Sequence, residues 1–175
     1  MINIFIFIIS VVLLAVVASL FILKRKRVDH SQVAEILREF LIYAQKEKLN
    51  GLIVLEENDN LDQFIVTGHK LEIKAKPLAL NQIFDDNSEG NLGAVVIKNN
   101  IIVAQNAVVR GAGPNYFNPR QRIAVAVSRF YDALAIEFSH GQIWLFLEGE
   151  RAQITPDRLF SILTFRSDKK VIRIN

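Results

Sequence analysis

Apolar and polar residues follow one another along this chain with the spacing of regular secondary structure, beginning with a helix that leads into a strand. After residue 30, apolar residues recur every three or four positions with charged residues between them, which predicts an amphipathic helix over residues 31–48. The Asn50–Gly51 pair ends this helix, and LIVLEE at 52–57 is a short apolar run typical of a buried strand.

The rest of the chain alternates between helices and hairpins. PLALNQIF at 77–84 is predicted to be a helix opened by a proline, and GAVVIK and IIVAQNAVV are predicted to be strands joined at Asn99–Asn100, a hairpin signal. PRQRIAVAVSRFYDA at 119–133 is predicted to be helical, and ALAIEF and QIWLFLEG form a second hairpin around His140–Gly141. TPDRLFSILTF follows as a helix with Thr155 as its N-cap. The predicted fold class is α/β, with one mixed central β-sheet flanked by helices.

The first apolar block indicates a membrane anchor. Residues 3–23 carry no charge, and a helix of that length matches a hydrocarbon core about 30 Å thick. A cleaved signal peptide is the alternative, but it needs positive residues before the apolar segment, whereas the KRKR block at 24–27 follows it. Because positive residues stay on the cytoplasmic side, we expect a single transmembrane helix at the cell membrane, with an anchor at 1–27 and one cytoplasmic domain at 28–175.

Charge and composition exclude two classes of site. The formal net charge of +3 comes from the block at 24–27, since without these four residues 17 basic side chains stand against 18 acidic ones. Binding of nucleic acid would need basic residues spread over a face, so no nucleic-acid partner is expected. The chain has no cysteine, which excludes disulfides and thiolate metal sites.

The usual motifs of common enzymes are missing from the sequence. GxxxxGK[ST], HExxH and GxSxG do not occur, the histidines at 30, 69 and 140 lack metal-ligand spacing, and GAGP at 111–114 is a weak signal that is more often a plain loop. The features that remain for chemistry are Gly93, at the start of a buried strand, and the two arginines of PRQR.

These residue types suit a polyphosphate. Gly93 and Ala94 would let backbone N–H groups approach phosphate oxygens without obstruction by a side chain. Arg120 and Arg122 would grip phosphate oxygens with their planar guanidinium groups at a helix N-terminus. Taken from the residues alone, a pair of surface ion pairs with Asp or Glu is the simpler interpretation of the arginines.

Residues 30–150 resemble the diadenylate cyclases, which condense two ATP molecules into cyclic di-AMP. The resemblance rests on the entering helix, the GLIVLEE strand, Phe84, the run LGAVVIKNN where the family has DGA followed by a strand and a turn, and RQR where the family has RHR. Asp132 and Ser139 also lie at family-like distances from Arg120. The anchor resembles that of the membrane-bound branch, whose best-known members carry three transmembrane helices.

The resemblance implies a substrate, a cofactor, an assembly and a set of site residues. The substrate is ATP, the cofactor is a divalent metal, Mg or Mn, and two domains meet face to face as a homodimer in which each domain holds one ATP. The implied catalytic residues are Arg120 and Arg122, and the implied substrate-binding residues are Gly93, Ala94, Gln121 and Ser139.

The chain departs from the family at two positions. Leu92 and Gln121 stand where the family has the Asp and the His that lie at the catalytic metal, and leucine offers no ligand while glutamine offers a neutral oxygen. The metal ligands are therefore unknown. Either the triphosphate holds the metal, or the ligands are drawn from Asp85, Asp86, Glu89 or His140.

Three hypotheses follow, and the sequence does not separate the first two. The chain is an active diadenylate cyclase, a weakened cyclase-like domain that binds nucleotide or regulates another cyclase, or a membrane-anchored interaction domain that binds no nucleotide. Family association favours them in that order.

Overall fold

The structure is a computed structural model that describes residues 31–57, 60–85, 93–109, 118–131 and 133–165. The predicted anchor at 1–27 lies outside the described residues. The elements in chain order are α1 (Ser31–Lys46), β1 (Gly51–Glu56), α2 (Asp62–Ile65), β2 (His69–Lys74), α3 (Pro77–Phe84), β3 (Ala94–Lys98), β4 (Ile101–Ala107), α4 (Pro119–Phe130), β5 (Ala133–Ser139), β6 (Gln142–Leu147), β7 (Glu150–Ile154) and α5 (Pro156–Phe165).

The seven strands form one mixed sheet in the order β2-β4-β3-β1-β5-β6-β7. β1 pairs in parallel with β3, and the other neighbouring pairs of described strands are antiparallel. β1 is therefore the central strand, with a parallel partner on one side and the antiparallel β5 on the other.

Helices cover both faces of this sheet. Because successive residues of a strand point to opposite faces, Ile53 and Leu55 of β1 join the core under α1, α3 and α5, whereas Leu52 and Val54 join the core under α2 and α4. All six residues of β1 are buried, which explains why its sequence is continuously apolar up to Glu56. The predicted class, a mixed sheet flanked by helices, is confirmed.

The structure confirms two local predictions, the Asn99–Asn100 hairpin turn and the Thr155 helix cap. Asn99 and Asn100 both have positive φ, 48° and 64°, as a two-residue hairpin turn of the predicted kind requires. The Thr155 hydroxyl accepts a hydrogen bond from the backbone N–H of Arg158 at 3.2 Å, so Thr155 caps α5. The helix at 119–133 is shorter than predicted, because the backbone at Tyr131 is extended and Ala133 already belongs to β5.

Three elements were not predicted: α2, β2 and β7. The strand β2 lies at one edge of the sheet, and none of its residues is fully buried, so its sequence lacks an apolar face. β7 forms the other edge and is similarly exposed except at Ile154. Edge strands of this kind leave little hydrophobic signal in the sequence.

An aromatic cluster fixes one end of the sheet. The rings of Phe40, Phe84 and Phe138 lie with centroids 5.0–5.5 Å apart and join α1, α3 and β5. A Cβ atom at Gly51 would come within 2.5 Å of the Phe84 and Phe138 rings, so glycine at the start of β1 makes room for this cluster. The cluster therefore holds together the end of the sheet where β1 begins and β5 ends.

Among the described residues, no helix combines the length and the apolar character that crossing a membrane requires.

Candidate active site

The strand register brings the predicted residues of β3 and β5 to one end of the sheet. Ile53 of β1 pairs with Val95 of β3, and Gly51 pairs with Phe138 of β5. Gly93 therefore lies at the level of Gly51, and Ser139 ends β5 at this same edge. One strand, β1, separates them, which corresponds to a distance of about 10 Å between the two backbones.

The N-terminus of α4 reaches this end of the sheet because α4 runs antiparallel to β5, the next element in the chain. Asn118 caps the helix, since its side-chain oxygen accepts from the backbone N–H of Gln121 at 2.8 Å. Its backbone oxygen accepts from the N–H of Arg122 at 3.0 Å, and Pro119 occupies the first helical position. The cap and the proline fix the turn that carries all three residues of RQR.

The three side chains of this turn leave the helix in different directions. Since successive residues are rotated by about 100°, Arg120 and Arg122 are two such steps apart, on nearly opposite sides of the helix with Gln121 between them. All three side chains are half-buried. Burial lowers the pKa of Arg120 below its ordinary value, and the negative charge of Glu137 offsets part of that effect.

Glu137 of β5 is a site residue that the sequence analysis did not single out. It is fully buried, and neither of its carboxylate oxygens makes a hydrogen bond of good geometry. Burial raises the pKa of Glu137 above its ordinary value of 4.5. Hydrogen bonds from the Gln121 and Asn118 side chains, of less favourable geometry, and the positive charge of Arg120 act in the opposite direction on this pKa. These three groups and His140 therefore surround the carboxylate. The sequence feature that could have identified Glu137 is its position as a charged residue inside the otherwise apolar strand ALAIEF.

Ser139 and His140 form a second polar pair beside Glu137. The Ser139 hydroxyl lies 2.7 Å from the His140 ring nitrogen Nδ1. The His140 backbone N–H donates to the Asn50 side chain at 3.2 Å, and its φ of 51° belongs to the turn between β5 and β6. Ser139 and Glu137 are two residues apart on one strand, so their side chains share the face of the sheet that α4 covers.

The structure gives a packing reason for glycine at position 93, which the sequence did not reveal. A Cβ atom at this position would lie 2.4 Å from the backbone carbon of Asn106 and 2.7 Å from the Ala107 oxygen, so the neighbouring strand β4 leaves no room for a side chain. Ala94 is fully buried in the core under α4. The contact of either backbone with a phosphate remains a prediction.

The described residues offer oxygen donors for a divalent metal but no complete set of protein ligands. Within them, no group of three or more His, Asp or Glu side chains could hold an ion. Of the four candidate ligands, Asp85 ends α3 and His140 lies in a turn, while Asp86 and Glu89 fall outside the described residues, as Leu92 does. The Glu137 carboxylate, which has no hydrogen bond of good geometry, and the Gln121 amide oxygen are hard donors that fit Mg²⁺ or Mn²⁺ when a triphosphate supplies further oxygens.

The described chain has a mixed sheet between two helical layers, and the capped, arginine-bearing start of α4 lies beside the end of the buried strand β5. Residues 38–151, more than half of the chain, match the family model described as DAC, DisA bacterial checkpoint controller nucleotide-binding. The chain belongs to this diadenylate cyclase family. The resemblance inferred from the sequence is therefore confirmed.

A curated protein of similar sequence is a cyclic di-AMP synthase. The cyclic di-AMP synthase CdaA of Bacillus subtilis (strain 168) is 28% identical over 106 residues, which cover 58% of this chain and 39% of CdaA. The chain thus spans about two-fifths of the length of this curated relative.

Two solved structures are similar in fold. A double mutant of DacA from Staphylococcus aureus matches with a TM-score of 0.71 and 23% identity over 78% of this chain and 96% of DacA. A hypothetical membrane spanning protein from Bacillus cereus matches with a TM-score of 0.64 and 26% identity over 74% of this chain and 65% of that one.

Proposed function

We propose that this chain is a membrane-anchored diadenylate cyclase that condenses two ATP molecules into one cyclic di-AMP and two pyrophosphates. The observation that carries the proposal is the capped N-terminus of α4, where Arg120 lies beside the end of β5 in a chain of the cyclase family. Helix N-termini and guanidinium groups are the two elements with which proteins most readily bind phosphate.

In this proposal the residues of the site bind and orient one triphosphate. Arg120 and Arg122 flank the phosphates and offset the negative charge that develops as the bond between the α-phosphate and pyrophosphate breaks. The Ser139 hydroxyl donates to a phosphate oxygen, and the backbone at Gly93 and Ala94 lines the edge of the sheet. Bound divalent metal, for which Glu137 and Gln121 offer oxygens, would polarise the reacting phosphate.

The reaction needs a second copy of the domain. Each 3′-hydroxyl oxygen must lie in line with the α-phosphate of the other ATP, so two domains that each hold one ATP must meet face to face. Holding both nucleotides in this alignment removes much of the entropic cost of a bimolecular encounter. A homodimer is therefore the proposed active form.

We also propose the organisation of the chain. Residues 1–27 form a single-pass anchor and residues 28–175 form the cyclase domain on the cytoplasmic side, where ATP is available. The uncharged segment at 3–23 and the KRKR block that follows support this arrangement. A reporter fused to the C-terminus should be active inside the cell, and activity only outside it would contradict the orientation.

The direct test is synthesis of the product. The full chain, purified in detergent, is incubated with ATP and Mn²⁺, Mg²⁺ or Co²⁺, and cyclic di-AMP is measured by mass spectrometry. We expect cyclic di-AMP with at least one of the metals. ATP bound without any product would exclude an autonomous cyclase, and no binding of ATP would exclude both nucleotide hypotheses.

A weakened or regulatory cyclase-like subunit is the second candidate, favoured by Leu92 and Gln121 at the positions of the family's Asp and His. Leu92→Asp separates the two candidates. In a weakened relative the new carboxylate should raise the rate of cyclic di-AMP synthesis, since it restores a ligand for a hard cation. In a cyclase that obtains its ligands elsewhere, the rate should stay the same or fall. Leu92→Asn, a polar control without the charge, should not raise the rate in either case.

A further inference from the structure

Two buried glutamates in this sheet have opposite surroundings. Glu56, at the far end of β1, forms an ion pair with Lys98 at 2.7 Å through one oxygen and accepts from the Leu61 backbone N–H at 3.3 Å through the other. Glu137 is buried more deeply, and although the Gln121 and Asn118 side chains lie within hydrogen-bonding reach of its carboxylate, neither oxygen has a partner of good hydrogen-bond geometry. Ionising a buried carboxylate whose hydrogen bonds are poor costs free energy, so a proton or an added cation would stabilise Glu137.

The groups that face Glu137 come from the start of α4, the turn after β5 and the two strands that pair with β5. The first turn of α4 presents Arg120 and Gln121, with Asn118 at the cap, and the turn after β5 contributes His140. Across the sheet its paired residues are Leu52 on β1 and Trp144 on β6, neither of which carries a charge. Among the described residues, Arg120 is thus the permanently charged cation that acts on this carboxylate, and the proposed function already uses it for phosphate.

A triphosphate at the N-terminus of α4 would place further negative charge beside Glu137. Like charges at close range in a poorly solvated site repel each other strongly. A divalent cation removes this conflict, because its coordination shell can be shared by the carboxylate and the phosphate oxygens. The Gln121 side chain, close to the same carboxylate, offers another oxygen of the type that such cations prefer.

We propose that Glu137 makes nucleotide binding conditional on a divalent cation, which its carboxylate shares with the triphosphate. This inference rests on the proposed function, and it assigns to a residue of β5 the acidic role that position 92 does not supply. The candidates raised by the sequence did not include Glu137.

Binding of a non-reacting ATP analogue, with a methylene group in place of the oxygen between the α- and β-phosphates, tests the proposal. Its affinity for the full chain in detergent is measured by calorimetry with Mn²⁺ and with EDTA. We expect Mn²⁺ to tighten binding to the wild-type chain by about 10- to 100-fold, the range typical of a group that supports a bound metal. In Glu137→Gln most of this enhancement should disappear, while binding in EDTA should equal or exceed that of the wild type. Glu56→Gln, the matched control, should keep the full enhancement.

Trp144 provides a second readout that does not depend on catalysis. It is the only tryptophan in the chain and pairs directly with Glu137 across the sheet. Paramagnetic Mn²⁺ held by Glu137 together with the analogue should quench its fluorescence, and Mg²⁺ should not. The quenching should be lost in Glu137→Gln and kept at least in part in Glu137→Asp, which retains the carboxylate and serves as the second variant if the glutamine variant does not fold.

The outcomes separate this inference from the proposed function. If the wild-type chain binds no analogue under either condition, the proposed function fails and this inference fails with it. If the chain binds the analogue but Glu137→Gln keeps the Mn²⁺ enhancement and the quenching, only the role of Glu137 is overturned. Equal losses with Mn²⁺ and with EDTA would likewise overturn it, because they would indicate a purely structural contribution.

Discussion

At the scale of single residues, Arg120 and Arg122 occupy the same helical turn but have different neighbours. Arg120 lies next to the buried Glu137. Arg122 lies two residues further along and leaves the helix on nearly the opposite side from Arg120. The two side chains therefore flank a ligand rather than form one contiguous surface. Each should act on a different part of the triphosphate.

Removing either arginine should slow the proposed reaction severely. Arg120→Ala and Arg122→Ala should each reduce the turnover of ATP to cyclic di-AMP by about 100-fold or more, because each removes a fixed positive charge from a phosphoryl-transfer transition state. Turnover is measured at saturating ATP. Arg158→Ala, which removes an exposed arginine of α5, is the control and should leave turnover unchanged. Full turnover without both arginines would rule out the cyclase mechanism.

The ionisation of Glu137 should leave a pH signature in stability. Because burial raises its pKa in the folded protein above the 4.5 of an exposed glutamate, the folded state keeps a proton that the unfolded chain has released. Its stabilising contribution is complete below about pH 4.5 and is lost as pH rises through the raised folded pKa. Thermal unfolding in detergent without metal should therefore show a steeper loss of Tm above pH 4.5 in the wild type than in Glu137→Gln.

At pH 8 the glutamine variant should also melt a few degrees higher, since about 1 kcal/mol corresponds to about 2–4 °C in a domain of this size. Arg120 and His140, the charged and titratable groups nearest the carboxylate, remain in the variant, so the difference reports Glu137 itself. Identical pH profiles in the two proteins would contradict the raised pKa.

The residues that sequence reasoning found and the one it missed differ in a physical way. Gln121 and Arg120 directly follow the capping residue and the proline in the sequence, so their place at a helix N-terminus could be predicted from neighbouring residues alone. Glu137 lies in a strand that is otherwise apolar, and the burial of its carboxylate depends on α4 packing over β5, a contact between elements. Chain periodicity carries no information about that contact.

At the scale of elements, the same distinction separates the strands that were predicted from those that were not. Central strands such as β1 and β5 are buried on both faces and show as continuous apolar runs, whereas the exposed edges β2 and β7 do not. The hairpin of β3 and β4 was predicted, but the tight contact between its strands at Gly93 was not. Gly93 drew attention as a possible phosphate contact, while its fit against Asn106 required the paired strands.

That fit predicts a cost for any side chain at position 93, even without nucleotide. Gly93→Ala should lower the free energy of unfolding by about 1–3 kcal/mol, as forced overpacking usually does, because the obstructing atoms belong to the backbone of β4 and cannot move aside alone. Denaturant unfolding monitored by circular dichroism measures the change. Gly141→Ala is the comparison: its φ of +77° also disfavours alanine, but no atom of another element lies closer than 3.7 Å. A stable Gly93→Ala protein that had lost only ATP binding would restore the phosphate role as the main reason for glycine.

At the scale of the whole molecule, one domain supplies half of the proposed reaction centre. The described residues bring Arg120, Ser139 and the start of β3 to a single end of the sheet, and this end would face its copy in a homodimer. A single membrane span would confine the domains to a plane while leaving them free to separate.

Activity should therefore rise more than linearly with the density of the protein. Reconstituting the full chain in vesicles at increasing protein-to-lipid ratios should increase the specific rate of cyclic di-AMP synthesis until dimers predominate. Mixing Arg120→Ala chains with wild type at constant total density should lower the rate more than proportionally. A constant specific rate over the whole range, or full activity in an obligate monomer, would exclude the face-to-face mechanism.

The central position of β1 also determines when the domain can fold during synthesis. β1 is complete at Glu56, but its antiparallel partner β5 begins at Ala133, so the 76 residues between them, nearly half of the chain's length, must also be translated before the middle of the sheet closes. Pairings this distant in sequence form slowly, and until they do, the apolar edge of β1 is open to pairing with other chains. The nascent domain thus depends on a long interval of protection on the ribosome, and a chain released before β5 emerges is a substrate for chaperones and proteases rather than a smaller folded protein.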